Sequence, residues 1–212
     1  MSGIIENVYI VGAGGAGQVF ADLFLSLGIA PSGFFDDNPE LKGKAFLNIP
    51  VIGTVTDAKK IEGQFLLGIG NNKARKKVFE FLGFGDDRYL SPVNRLSYIG
   101  QGGSIGIGSV VLGGVVISTQ VKIGKFVILS IGSMVSHHCE LEDFSFMGPN
   151  AALGGNVKVG EGAFISIGAT IIPGIKIGKW SVIGAGSVII KDVPDYATVV
   201  GNPGKTIKIK GD

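Results

Sequence analysis

Cysteine and histidine are nearly missing from this chain, whose 212 residues include one Cys and two His. A lone thiol, Cys139, cannot build an internal disulfide framework and suits a reducing compartment. Two adjacent imidazoles, His137 and His138, cannot supply the three convergent ligands of a zinc centre, so no metal is expected. Charge is scarce as well, at 17% of residues against the usual ~25%. The net charge is only +2, with bases interspersed among acids, so nothing favours a nucleic-acid or membrane-surface partner. Long apolar runs are absent. The start MSGIIENVYIVG has no basic region and its apolar stretch breaks at glycine, so it reads as neither a signal peptide nor a membrane span. A cytoplasmic location is the expectation.

Glycine, in contrast, is abundant, with 36 residues, more than twice its ordinary share of ~7%. Disorder is excluded by the 45% hydrophobic content, and collagen by the 8 prolines. From residue 99 the glycines fall into a strict period. Every sixth residue from Ile99 to Ile189 is Ile, Val, Leu or Met, 16 positions without an exception. The residue after each is Gly or Ser in 12 of the 16. Such a hexad gives one short strand and one tight corner, with the aliphatic pointing inward. Three hexads close a triangular coil, and stacked coils pair their strands at about 4.8 Å. Residues 96–212 are therefore expected to form a left-handed parallel β-helix of about five coils, with a tail leaving the rod through Pro194 and the Gly-Asn-Pro-Gly turn. Its flat, weakly charged faces need covering, which a closed homotrimer would do.

Residues 1–95 carry a different pattern, strands alternating with helices, which predicts a small Rossmann-like parallel-sheet domain. VYIVG (8–12), GFFDDN (33–38) and FLLGIG (65–70) read as strands. QVFADLFLSLG (18–28) reads as a helix, and Asn71 or Asn72 should cap a second, KARKKVFEFLG. Between the first strand and helix lies Gly12-Ala13-Gly14-Gly15-Ala16-Gly17. This GxGxxG spacing lets backbone approach a phosphate, and helix N–H groups attract it. Asp36 and Asp37 follow about twenty residues later, where a carboxylate can reach a ribose or base. At about 95 residues the domain suits one mononucleotide half rather than a full dinucleotide fold.

In the hexad register Val135 and Cys139 point inward, which leaves His137 and His138 outward. A solvated pair on a turn and a general base at a subunit interface are both open at this point. Cys139 reads as structural. Trp180, Phe126, Phe146 and Phe164 take outward positions suited to an oligomer interface. Lys73, Arg75, Lys76 and Lys77 read as a solvated helix face. Lys205, Lys208 and Lys210 suit either a phosphorylated cofactor or solubility.

With the VGAGGAG start, FFDDN, GIGNNKARKK, SHHCELEDFSF and VVGNPGK in place, the chain resembles the left-handed β-helix acyltransferases that N-acetylate nucleotide-linked amino-sugars, along essentially its whole length. The resemblance implies a UDP- or dTDP-linked 4-amino-sugar on the N-terminal half, at Gly14, Gly15 and Ala16 (phosphates), Asp36 and Asp37 (nucleoside), and Gly70. It implies acetyl-coenzyme A along the β-helix between subunits of a trimer, at Phe146, Ile167 and Ala185, and His137 as the catalytic base. Three positions depart from the family pattern. His138 stands where an acid usually orients the base, Phe146 replaces a second His, and Ala16 replaces a His in the Gly-rich turn. Asp143 and Glu142 are the candidates to replace the orienting acid. Two other readings remain beside N-acetylation in glycan biosynthesis: sugar O-acetylation, and a non-catalytic nucleotide-sugar-binding protein.

Overall fold

The structure is a computed structural model that describes residues 7–209; the expectations touching residues 1–6 and Lys210 lie outside the described residues. It divides into two compact units, Met1–Pro92 and Val93–Asp212.

The first unit is a five-stranded sheet. Its elements are β1 (Val8–Val11), α1 (Gly15–Ser26), β2 (Gly33–Phe35), β3 (Ala45–Phe46), β4 (Ile49–Gly53), α2 (Val55–Ala58), β5 (Gln64–Leu67) and α3 (Asn72–Leu82). The strand order is β3-β4-β2-β1-β5, parallel except that β3 runs antiparallel to β4. Ile10, Val11, Phe34, Phe35, Phe65 and Leu66 are fully buried, as expected for strands covered on both faces. The β3–β4 hairpin escaped the sequence reading. Its two turn residues, Leu47 and Asn48, both take positive φ (52° and 63°), a geometry normally signalled by Asn-Gly or Asp-Gly. Helix α1 begins at Gly15, three residues before the expected start, because the glycine turn itself enters the helix. Asn71 caps α3, its Oδ1 accepting from the Ala74 N–H (2.9 Å), and Gly83 ends it in the left-handed conformation.

The second unit is the expected left-handed β-helix. Each of the 16 hexads contributes a two-residue strand. The strands stack as three parallel sheets in which residue i pairs with residue i+18, as in Lys122↔Glu140↔Lys158 and Met134↔Ala152↔Thr170. Fourteen of the 16 inward aliphatics, Val111 through Ile189, are at most 4% exposed. Ile99 and Ile105, at the open first coil, are exposed and half-buried, since no preceding coil covers them. Small residues such as Ser133, Cys139, Ala151, Ala163 and Ala169 fill the remaining interior.

Two expectations need correction. The tail does not leave the rod at Pro194. Val193 bridges to Ile177, Ala197–Val200 extends one sheet by pairing parallel to Val182–Ile183, and Lys205–Ile209 folds back antiparallel on it. Nor is Phe126 an outward cover for a neighbouring subunit. It is fully buried, stacked on Phe144 (5.2 Å between centroids) and lying over the space left by Gly108 one coil earlier. Trp180 likewise covers Gly162. The aromatic fills the column where its neighbour below lacks a side chain.

Identical hexad positions at different depths give a direct test. Ile165→Ala, fully buried, is expected to cost about 2–5 kcal/mol of stability. Ile99→Ala, at 41% exposure, is expected to cost under about 1 kcal/mol. Denaturant midpoints of the two variants check the difference.

Candidate functional site

The first candidate site lies at the carboxyl ends of β1, β2 and β5. The four glycines of the turn there have separate tasks. Gly12 sits at φ +103°, where a Cβ would meet the Gly68 carbonyl oxygen at 2.7 Å, so this position forces the tight turn. A Cβ on Gly17 would run into the Gly12 carbonyl, so Gly17 lets α1 press against the turn. Gly14 and Gly15 have open space around them and are exposed. Gly14 is the N-cap of α1 and offers no side-chain bond, which leaves the first helix N–H groups available to an anion. Turn geometry and the open space at the helix start thus fall to different glycines.

Asp36 and Asp37 are both already engaged. Asp36 Oδ2 accepts from the Ala13 N–H (2.7 Å) and its Oδ1 from the Asn38 N–H (2.8 Å). Asp37 Oδ1 accepts from the Val55 N–H (2.8 Å) at the start of α2. Asp36 therefore ties the end of β2 to the glycine turn, and Asp37 ties it to α2. Each carboxylate keeps further lone pairs for a ligand. Gly70 closes the other side, where a Cβ would lie 3.7 Å from the Ala16 methyl.

The second candidate site is the histidine corner of the β-helix. His137 and His138 are exposed, as the register requires, while Val135 and Cys139 are buried. His138 takes φ +59°, and Gln120 and Asn156 at the equivalent corner one coil before and one coil after take +58° and +59°. Its N–H donates to the Thr119 carbonyl (3.1 Å), and the Asn156 N–H donates to the His137 carbonyl (2.9 Å). The residue one coil beyond His137 is Gly155. A Cβ there would lie 2.6 Å from His137 Nε2, so the imidazole lies against bare backbone. Its edge meets His138, with the two Nδ1 atoms 3.1 Å apart and the rings nearly perpendicular at 82°.

An Nδ1···Nδ1 hydrogen bond holds one proton between two lone pairs. If His137 donates, its Nε2 carries a free lone pair and can act as a base; if His138 donates, it cannot. The candidate orienting acids are elsewhere. Asp143 Oδ1 accepts from the Lys125 N–H (2.7 Å), and Glu142 Oε2 from the Glu161 N–H (3.0 Å). Both side chains brace neighbouring coils at the next corner, so His138 is the group bonded to the His137 ring. Beneath the pair, the Cys139 Sγ–H donates to the Gly154 carbonyl (3.1 Å), and burial pushes the thiol pKa up, away from nucleophilic use.

Phe146, Ile167 and Ala185 lie elsewhere on the rod. Phe146 belongs to a different sheet from Met134–Val135 and stacks on Phe164 at 4.7 Å, with planes 2° apart. Ile167 and Ala185 are exposed at the corner after that sheet, beside Gly168 and Gly186. One chain does not bring these three residues to its own histidine corner. A groove of about 350 Å³, lined by Glu140, Lys158, Lys176 and Lys179 among others, contains neither histidine. No group of three His, Cys, Asp or Glu among the described residues could hold a metal, and none of their helices is long and apolar enough to cross a membrane.

Sequence reasoning missed two residues. Gly155 was findable by adding one coil, 18 residues, to His137. Arg75, read as part of a solvated face, is 1% exposed, and its neighbours in a run of lysines disguised it.

Comparison with known proteins follows the same two-part division. Residues 7–82 match the PglD N-terminal domain, and residues 156–191 match the bacterial transferase hexapeptide repeats. Among solved structures, a His-to-Ala mutant of GDP-perosamine N-acetyltransferase from Caulobacter crescentus, in complex with CoA and GDP-perosamine, superposes with a TM-score of 0.88 at 30% identity, covering 98% of both chains. The acetyltransferase domain of PglB from Neisseria gonorrhoeae, in complex with acetyl coenzyme A, gives 0.87 at 32% identity over 95% of this chain and 98% of that one. GDP-perosamine N-acetyltransferase of Escherichia coli O157:H7 is 32% identical over 59% of this chain and 57% of its own length. The matched stretches span between 21% and 57% of the curated relatives.

Placing a methyl group under the His137 ring tests the corner geometry without reference to any activity. Gly155→Ala is expected to swing the imidazole away and to cost about 1–3 kcal/mol of stability through overpacking. Imidazole ¹⁵N spectra should show a hydrogen-bonded Nδ1 pair in the parent protein and its loss in the variant.

Proposed function

The chain belongs to the family of hexapeptide-repeat acetyltransferases with a PglD-like N-terminal domain, and from that premise we propose that it is an acetyl-CoA-dependent N-acetyltransferase acting on a nucleotide-linked amino-sugar. The observation that carries this reading is the outward His137, held between Gly155 and His138 on a rod joined to a glycine-turn nucleotide fold. The nucleotide diphosphate sits on the N–H groups following Gly14, at Gly15 and Ala16, bounded by Gly70. The remaining lone pairs of Asp36 and Asp37 face the nucleoside.

The chemistry asks little of the protein beyond position and one proton acceptor. The sugar amine attacks the thioester carbonyl carbon of acetyl-CoA, an N–C bond forms, the C–S bond breaks, and coenzyme A departs as a thiolate that becomes the thiol by taking from the His137 imidazolium the proton the amine has lost. His137 Nε2 takes the proton that the amine must lose, and His138 receives the His137 Nδ1–H and steadies the resulting imidazolium. Holding both substrates together contributes much of the rate. Phe146, Ile167 and Ala185 take the cofactor. Because these positions lie away from the histidine corner of the same chain, the reading requires a second copy to complete the site, and a homotrimer supplies it. On this reading the reaction belongs to the cytoplasm, within surface glycan biosynthesis.

His137→Ala is expected to lower kcat by about 10²–10⁴-fold with little change in either KM. Steady-state kinetics on UDP-, dTDP- and GDP-linked 4-amino-sugars, paired with their 4-hydroxyl analogues, provide the test. Near-parental turnover in the variant would remove His137 from the mechanism, and preference for the hydroxyl analogue would overturn N-acetylation.

A further inference from the structure

Arg75 is the largest fully buried side chain among the described residues, 1% exposed, in a segment otherwise rich in lysine. Its backbone lies in the first turn of α3, yet its guanidinium runs back toward β5. One terminal nitrogen donates to the Ile69 carbonyl (2.8 Å) and approaches the Gly70 carbonyl (3.4 Å), and the other donates to Asn72 Oδ1 (2.9 Å). Asn72 is itself buried. Burial pushes the Arg75 pKa down to about 9, so the group still carries its charge at neutral pH. A charge is not buried without compensation, and here the return includes a fixed loop from Ile69 to Asn72.

That loop forms part of the glycine turn's surroundings. A Cβ on Gly68 would lie 2.6 Å from Gly17 Cα and 2.8 Å from the Gly12 carbonyl oxygen, and one on Gly12 would lie 3.1 Å from Ile69 Cγ1. Loop and turn therefore touch closely, backbone to backbone at Gly68 and through the Ile69 side chain at Gly12, which leaves little room for a displacement. Gly70, one wall of the nucleotide cradle, is a residue Arg75 approaches directly.

We infer that Arg75 is a positioning residue for the nucleotide subsite, holding the Ile69–Gly70 carbonyls so that the wall at Gly70 and the turn at Gly12–Gly17 keep the spacing a nucleoside diphosphate requires. The inference rests on the nucleotide reading above. It adds a residue that touches no ligand and acts through the loop. The planar fork is essential to the role, because a lysine ammonium cannot span the Ile69 carbonyl and Asn72 Oδ1 in one fixed plane.

Isothermal titration of UDP, dTDP and GDP, and separately of coenzyme A, into the full-length parent, Arg75→Lys and Asn72→Ala tests it, with thermal unfolding run in parallel. In the parent at least one nucleoside diphosphate binds. In Arg75→Lys its Kd rises about tenfold or more, Asn72→Ala shows a smaller rise, and coenzyme A affinity is unchanged in both. A folded Arg75→Lys that binds nucleoside diphosphate like the parent, while its Tm falls, makes Arg75 a core residue only and overturns the inference. If Arg75→Lys does not fold, Asn72→Ala decides on the same readout, and an unchanged Kd overturns the inference. If the parent binds none of the three nucleotides, the nucleotide reading fails and the inference falls with it.

Discussion

Stacking in steps of 18 residues governs the second unit. Once residue i is paired with residue i+18, every side chain shares a column with its counterparts in the coils above and below. What one coil omits, its neighbour can use. Phe126 occupies the space over Gly108, Trp180 the space over Gly162, and His137 the space at Gly155. The same rule that builds the hydrophobic interior from Ile, Val and Leu therefore creates the niche for the imidazole. Structure and candidate chemistry share one cause here, since the glycine that allows a close-packed coil also sets where a ring can lie.

The N-terminal unit applies the same principle to backbone. Gly12, Gly17 and Gly68 are spent on close approach between turn, helix and loop, and Gly14 and Gly15 on leaving space open. Asp36 and Arg75 then hold this arrangement from opposite sides, one through the Ala13 N–H and the other through the Ile69 carbonyl. A carboxylate accepting from backbone amides and a guanidinium donating to backbone carbonyls complement each other. Neither role is visible in the residue type alone.

The periodic features were legible in the sequence. Sixteen hexads fixed the inward aliphatics, the three-sheet rod and the outward placement of both histidines, because a six-residue period leaves one register that turns them all inward. Aperiodic features were not legible. The β3–β4 hairpin turns on Leu47-Asn48 rather than on glycine, and the tail pairs with the rod through contacts far apart in sequence. Arg75 was hidden because helix periodicity indicates which face a residue takes, not that a long side chain can fold back past the helix start. The partner of the His137 ring was left open by the sequence, with His138 adjacent and Asp143 and Glu142 as candidates. Asp143 and Glu142 are close in sequence but lie at the next corner, bonded to Lys125 and Glu161, whereas His138 bonds the ring directly.

The central claim is that His137 Nε2 accepts the proton of the attacking amine. A crystal structure with coenzyme A and a nucleotide-linked 4-amino-sugar tests it most directly. The account predicts the sugar nitrogen within about 3.2 Å of His137 Nε2, with the His137–His138 bond intact and the coenzyme against Phe146 and Ile167 of a neighbouring copy. A sugar nitrogen bonded to another side chain, with His137 turned to solvent, would contradict it.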